Sequence, residues 1–187
     1  MLLLNFTPFP IVETERLILR QLQADDAGAI YSLRSDERVN EFIDRPKTTT
    51  ILQAEKFIDK INTAINNNES LYWAIILKEK NVLIGTICLW NISKENYTAE
   101  IGYELNPHYQ GKGYMQEALS KVIEFGFSIM QLQTIEAYTH AQNNRSAKLL
   151  EKNNFKRNLD AENNQNQEVT NEVIYSLEKK NKTITLK

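Results

Sequence analysis

Two of the six glycines in this chain of 187 residues stand on either side of one lysine, in the stretch YQGKGYMQEAL at residues 109–119. A strand-like segment before it ends at Pro107, which has no N–H to donate to a sheet, and a run with helical spacing follows it. Gly111 and Gly113 permit backbone conformations that other residues rarely adopt, and a helix start offers unpaired N–H groups and a positive dipole end. The stretch therefore predicts a turn whose amides can bind an anion such as a phosphate.

Two common nucleotide-binding loops do not fit this stretch, although Lys112 adds a positive charge to it. A dinucleotide-binding loop needs a third glycine, and position 116 is Gln116. A mononucleotide-binding loop needs Ser or Thr after its Gly-Lys pair, whereas Lys112 is followed by Gly113 and Tyr114. On glycine spacing alone, a plain turn that merely starts a helix remains an alternative.

Alternating and helical spacings of apolar residues divide the rest of the chain into strands and helices. The predicted strands cover residues 16–22, 71–78, 82–92, 97–105 and 134–140. The predicted helices cover residues 27–36, 51–66, 112–130 and 144–153. A final hairpin is expected from residues 155–162 and 168–180 around a polar loop. This order indicates an α+β fold with a mixed sheet, because strands and helices do not alternate regularly enough for a doubly wound fold.

Length and composition fit one globular domain outside a membrane. The chain has a hydrophobic fraction of 42%, a charged fraction of 25% and a net charge of −2, so no basic bias indicates a nucleic-acid partner. No run is long enough for a membrane span, and the single Cys88 excludes an internal disulfide framework and fits a reducing cytoplasm. We expect an N-terminal extension at 1–12 that packs on the domain, one domain at 13–180 and a tail at 181–187.

Three separated motifs resemble those of the GNAT superfamily of N-acetyltransferases. QGKGYM resembles the loop Gln/Arg-x-x-Gly-x-Gly/Ala that binds the pyrophosphate of acetyl-CoA in that superfamily. ETERLILRQLQADDAGAIYSL, AEIGYELNPHYQGKGYMQEAL and NNRSAKLLEKNNF resemble successive segments of the branch that contains the ribosomal-protein serine/alanine N-terminal acetyltransferases. The resemblance covers residues 13 to about 178. It implies a GNAT-like fold, with a mixed, mostly antiparallel central sheet and helices on both faces.

The resemblance also implies a cosubstrate, acetyl-CoA, and the residues that hold it. The pantetheine arm would pair with the backbone of Tyr103 and Leu105 at the end of strand 97–105, and Asn143 would contact it from the next strand's end. Main-chain amides of six consecutive residues would hold the pyrophosphate: Gln110, Gly111, Lys112, Gly113, Tyr114 and Met115. No metal is implied.

The sequence identifies the catalytic residues less clearly than the residues that would bind acetyl-CoA. An amine must lose a proton before it attacks the thioester, because α-amines with a pKa near ~8 and Lys amines near ~10.4 are largely protonated at pH 7. Glu100 is the first candidate base, acting directly or through water, and Glu104 is the second; a regular strand places both on one face. The alternative is that both are surface carboxylates. Ser146 would face the thiol as an acid or hydrogen-bond donor.

Three residues depart from the superfamily pattern. Met115 stands where the loop usually has Gly or Ala, which would tighten the approach of the last amide. Asn154 replaces the usual Gly before Phe155, and Asn still tolerates the left-handed conformation of a helix cap. Leu150 occupies the position of a Tyr that serves many members as general acid, so another group must assist the leaving thiolate.

Other conspicuous residues are given structural interpretations. Cys88 is interpreted as a buried structural thiol rather than an acyl-carrying nucleophile. His108 and His140 lack the carboxylate pattern of a metal site and are assigned surface or supporting roles. Four aromatic residues are expected in the core or in pocket walls: Tyr72, Trp73, Trp90 and Tyr97. Three charged residues between the early helices are expected to be solvated or to line an acceptor pocket: Arg34, Arg38 and Asp44.

The leading hypothesis is a cytoplasmic N-acetyltransferase that transfers acetyl from acetyl-CoA to a primary amine by direct attack in a ternary complex. The acceptor would be a protein N-terminus or a small amine, and the protein a monomer or homodimer without nucleic-acid or membrane partners. A second hypothesis is a non-catalytic module of the same fold that binds or senses acyl-CoA, which Leu150 and Met115 favour. A nucleotide-binding protein is a third, weakened by the missing loop elements.

Overall fold

A computed structural model describes residues 2–164 and 171–180, and the predicted tail at 181–187 lies outside them. Within these described ranges, eight strands and six helices follow one another in this order: β1 Val12–Glu13, β2 Leu17–Gln21, α1 Ala27–Ser35, α2 Glu37–Asn40, α3 Ile51–Asn66, β3 Leu71–Leu77, β4 Val82–Ser93, β5 Thr98–Leu105, α4 Tyr114–Ser128, β6 Thr134–His140, α5 Asn144–Lys152, β7 Lys156–Arg157, α6 Leu159–Asn164 and β8 Glu172–Glu178. Short 3₁₀ turns precede α1 and α4, at Ala24–Asp26 and Pro107–Tyr109.

The strands form one sheet in the order β1-β2-β3-β4-β5-β6-β8-β7. Neighbouring strands are antiparallel except for β5 and β6, which are parallel. Over the part of the chain that the structure describes, β5 and β6 pair at Thr98–Glu100 with Thr134–Glu136 and no further. Beyond those residues β5 stays paired with β4 and β6 stays paired with β8. The two central strands therefore separate into a wedge that opens toward their carboxyl ends.

Helices cover both faces of the sheet, because alternate side chains of its central strands are apolar on both sides. Trp73 and Ile75 of β3 belong to the core cluster that also contains the apolar face of α4. Ala74 and Ile76, the next residues along the strand, belong to the second cluster, formed with α1 and α3. These two layers confirm the predicted fold class, and they place β5 and its two faces at the centre of the molecule.

The N-terminal residues pack against β3. Phe6 is buried, and the Phe9 ring packs in a T-shaped arrangement against Trp73, with 6.0 Å between the ring centroids. The Trp73 indole N–H donates to the Pro10 carbonyl at 2.7 Å. The extension thus covers the largest aromatic side chain of the core and satisfies its one polar atom.

The predicted final hairpin is wrong in its first half. Strand β7 spans Lys156–Arg157 alone, and α6 replaces the rest of the expected strand. Local polar groups favour the helix: the Asn158 side chain accepts from the N–H of Ala161, as an N-cap does. Glu162 then accepts from the Arg157 guanidinium and from the Ile174 N–H, which attaches the helix to β8. The short helix α2 was also not predicted, although Asp36 caps it by accepting from the N–H of Arg38.

Candidate active site

The predicted anion-binding turn lies beside the open end of the wedge. Gly111 and Gly113 have φ of +75° and +80°, which a side chain would strain. Helix α4 begins at Tyr114, directly after Gly113, and no side chain caps it. The first N–H groups of α4 are therefore available to an anion, with the positive end of the helix dipole behind them.

Met115 does not lie over this turn. The residue is 7% exposed and packs in the core beneath α4. The larger residue at this position is accommodated by the core. Because this side chain points into the core, it does not narrow the approach to the last amide of the turn, as the sequence had suggested.

Polar side chains connect the turn to both arms of the wedge. The Gln110 amide N–H donates to the Leu105 carbonyl at the end of β5, at 3.1 Å. Its oxygen accepts from the Arg145 guanidinium at the start of α5, at 2.9 Å. Lys112 is exposed, with its ammonium 5.6 Å from the centre of the Tyr109 ring. The cationic side chains of Lys112 and Arg145 therefore border the turn.

A pair of hydroxyls spans the wedge. The Tyr103 hydroxyl of β5 and the Ser146 hydroxyl of α5 lie 2.8 Å apart. Burial raises the pKa of Tyr103 to about 12, so its phenol stays protonated at neutral pH. Asn143 caps α5 by accepting from the N–H of Ser146 at 3.1 Å, which orients the first turn of that helix. Leu150, one turn further on, is fully buried and offers no proton.

Glu100 lies on the opposite face of β5, at the apex of the wedge. Burial raises its pKa, and the carboxylates of Glu136 and Glu172 add to the rise, while a hydrogen bond from the Asn91 amide at 2.5 Å opposes it. Trp90, its partner on β4, is 50% exposed. A half-buried carboxylate with a raised pKa next to an exposed aromatic ring is suited to accept a proton from a bound amine.

Glu104 is on the same face as Glu100, as the regular strand predicted, but its surroundings differ. The carboxylate is buried and receives the Arg45 guanidinium at 2.5 Å. The Thr86 and Tyr72 hydroxyls also donate to it, at 3.2 and 3.4 Å. Glu104 is thus held in an ion pair, and its carboxylate oxygens are already occupied by other side chains.

Sequence reasoning did not select Arg45 as a site residue. The contact between Arg45 and Glu104 joins residues 59 positions apart, and it fastens the segment 41–50 between α2 and α3 to β5. Arg45 also donates to the Asn40 side chain at 2.9 Å. Nothing in the local pattern distinguishes this arginine from Arg34 or Arg38, so no sequence signal identified it.

The remaining singled-out residues fall into the core or onto the surface. Burial raises the pKa of the Cys88 thiol to about 12, and its S–H donates to the Gly102 carbonyl, which suits a structural thiol and opposes a nucleophile. Trp73 is fully buried. His108 is exposed, and the His140 ring packs 5.3 Å from that of Phe42. Arg34 stacks on Phe57, whereas Arg38 pairs with Asp36 and Asp44 is exposed.

Comparison with known proteins identifies the family to which this chain, with its wedge and glycine turn, belongs. The family described as "Acetyltransferase (GNAT) domain" matches residues 16–156, which is most of the chain. The chain belongs to the GNAT acetyltransferase family. It is 36% identical over 144 residues to the uncharacterized N-acetyltransferase p20 of Bacillus licheniformis, covering 77% of this chain and 81% of that protein.

Solved GNAT structures share the fold. A ribosomal-protein alanine acetyltransferase from Vibrio fischeri superposes with a TM-score of 0.76 at 21% identity, over 90% of this chain and 96% of that one. The ribosomal alpha-N-protein acetyltransferase RimL, solved in complex with coenzyme A, superposes with a TM-score of 0.78 at 18% identity, over 90% and 98%. At these identities the likeness shows the GNAT fold.

Two further observations concern residues 2–164 and 171–180 only. Within those ranges, three or more metal-ligating side chains do not come together anywhere. In the same ranges, every helix is too short or too polar to span a bilayer.

Proposed function

We propose that this GNAT protein transfers acetyl from acetyl-CoA to a primary amine by direct attack in a ternary complex. The observation that carries the proposal is the wedge between β5 and β6, which ends at a glycine turn opening onto a helix N-terminus. Strands that part while each keeps its outer partner present free main-chain groups on their inner edges. Such an edge can pair with the amide-rich pantetheine arm as it would with a strand.

The donor would lie along this wedge. Backbone groups of Tyr103 and Leu105 would hold the pantetheine arm, together with Asn143. The amides of the turn would hold the pyrophosphate, as a helix N-terminus binds phosphate groups: Gln110, Gly111, Lys112, Gly113, Tyr114 and Met115. The exposed Lys112 would add positive charge.

Glu100 would remove the proton from the acceptor amine, directly or through a water. Its raised pKa supports this role, because a stronger base is a better match for an ammonium group. Glu104 is the second candidate. Its contact with Arg45 favours a structural role for Glu104. There it would hold the segment 41–50 against β5, on the side where the acceptor would enter.

Ser146 would assist the departing thiolate of coenzyme A. Its hydroxyl can donate a hydrogen bond to the sulfur while it accepts one from Tyr103. The two hydroxyls would supply the hydrogen-bond donor that position 150 lacks, since Leu150 is an apolar core residue. A phenol with a pKa of about 12 acts better as a hydrogen-bond donor than as a full proton source for a thiolate.

The acceptor class is a protein N-terminus or a small amine, and the test must cover both. Incubating lysate proteins and metabolites with the protein and labelled acetyl-CoA, followed by mass spectrometry, would identify labelled amines. Release of coenzyme A thiol with a matching labelled product supports the proposal. Tight binding of coenzyme A without labelling in either pool would instead support a non-catalytic acyl-CoA-binding module.

A further inference from the structure

Arg16, the residue before β2, contacts the glycine turn and the first part of α4 at once. Its guanidinium pairs with the Glu117 carboxylate, with Nε and Nη2 at 2.7 and 2.6 Å from Oε2. Its own main-chain N–H donates to the other oxygen, Oε1, at 2.9 Å. Its Nη1 donates to the Lys112 carbonyl at 3.0 Å, and the group stacks over the Tyr114 ring at 4.6 Å.

The contact with the Lys112 carbonyl fixes one peptide plane of the turn. In a trans peptide the C=O and the following N–H point in opposite directions. Because the Lys112 carbonyl points toward Arg16, the N–H of Gly113 points away from it. Gly113 has a left-handed backbone, which glycine adopts without strain. The contact with Arg16 therefore restrains the orientation of the Gly113 amide.

The pair also controls the charge at the helix start. Glu117 lies in the first turn of α4, where an unpaired carboxylate would repel a phosphate bound to the same N-terminus. Burial favours the protonated form of Glu117, but hydrogen bonds from Thr14 and Arg16 outweigh it and lower its pKa. The carboxylate is thus ionised and neutralised by Arg16.

We propose that Arg16 and Glu117 are positioning residues that preorganise the turn for the pyrophosphate of the acyl donor. The inference rests on the proposed function and adds to it two residues outside the donor-binding set. The pair matters only for the part of the donor that the turn contacts. A donor without pyrophosphate does not need it.

The test compares two acyl donors, acetyl-CoA and S-acetylpantetheine, in R16M. Methionine keeps much of the apolar stem and removes the guanidinium. We expect R16M to bind coenzyme A about tenfold more weakly in calorimetry, with a matching rise in KM for acetyl-CoA. Turnover of S-acetylpantetheine should stay at the wild-type rate. The matched control is R20M, which breaks the Arg20–Asp26 pair further along the same strand and should change neither donor's parameters.

Equal coenzyme A affinity in wild type and R16M would overturn the inference, as would an equal loss with both donors. If R16M does not fold, R16K takes its place, since lysine cannot hold the carboxylate and the carbonyl with a planar fork. A several-fold loss confined to acetyl-CoA is then expected, and an unchanged ratio between donors would overturn the inference. Failure of the wild type to bind coenzyme A would defeat the proposed function itself, and this outcome is distinct from the others.

Discussion

Glu100 lies on the same side of the sheet as Glu136 and Glu172, and their negative charges help to raise its pKa. The raised pKa should be visible in the pH dependence of the reaction. A base must be unprotonated to act, so the rate should rise with pH through the raised pKa of Glu100. We expect E100Q to lower kcat by about 100-fold and to remove this acidic limb from the pH–rate profile. The control is E136Q, which should keep kcat and move the limb to lower pH. An unchanged profile in E100Q would exclude Glu100 as the base.

The same carboxylate should reduce stability near neutral pH. Because its pKa is higher in the folded protein than in the unfolded chain, the folded state binds the proton more tightly. The free energy of unfolding therefore falls as pH rises from the ordinary Glu pKa through the raised value. E100Q lacks this loss, so its stability relative to wild type should be greater at pH 7 than at pH 4. Urea denaturation at the two pH values measures the difference, and the reverse trend would contradict the raised pKa.

Tyr103 and Ser146 should act as one unit, since their hydroxyls contact each other. We expect S146A to lower kcat about tenfold and Y103F to lower it less, with KM for acetyl-CoA nearly unchanged. The double variant should resemble S146A, because residues that act together are not additive. Strictly additive losses would show that the two hydroxyls work independently.

At the scale of elements, the ion pair between Arg45 and Glu104 joins the segment 41–50 to β5. Their side chains are 16% and 5% exposed, so removing Arg45 leaves the buried Glu104 carboxylate without its ion-pair partner. We expect R45M to lower the free energy of unfolding by about 3 kcal/mol, and R45M/E104Q to recover part of it. The control K47M breaks the exposed pair with Glu37 and should cause no measurable change. Equal effects of R45M and K47M in urea denaturation would contradict the buried role of the pair.

At the scale of the whole molecule, a bound donor would fill the wedge between β5 and β6. A ligand that binds only the folded state stabilises it by mass action, by about 2.7 kcal/mol at 100 times Kd. Coenzyme A should therefore raise Tm by roughly 5–10 °C at that concentration. ATP at the same concentration is the control, and a larger shift with ATP would revive a nucleotide-binding protein.

Most elements could be predicted from sequence because their patterns repeat over short distances. Helix α3 spans Ile51–Asn66 as expected, and β6 spans Thr134–His140. Asn154 has φ of +66°, the left-handed conformation predicted for a residue in place of Gly. The first strand of the predicted final hairpin was wrong because two polar side chains, Asn158 and Glu162, favour a helix that apolar periodicity cannot reveal. Localisation in the cytoplasm and the domain boundaries stay predictions.

The sequence by itself determined most of the longer strands and helices, the left-handed glycines of the turn and the family resemblance, because these depend on residues close together in the chain. Only the tertiary structure decided which polar groups meet. Arg16 and Glu117 lie 101 residues apart, Arg45 and Glu104 are separated by 59, and Tyr103 and Ser146 by 43. Local spacing does not distinguish one arginine or carboxylate from the next, whereas the packing of strands, helices and loops brings these particular pairs into contact.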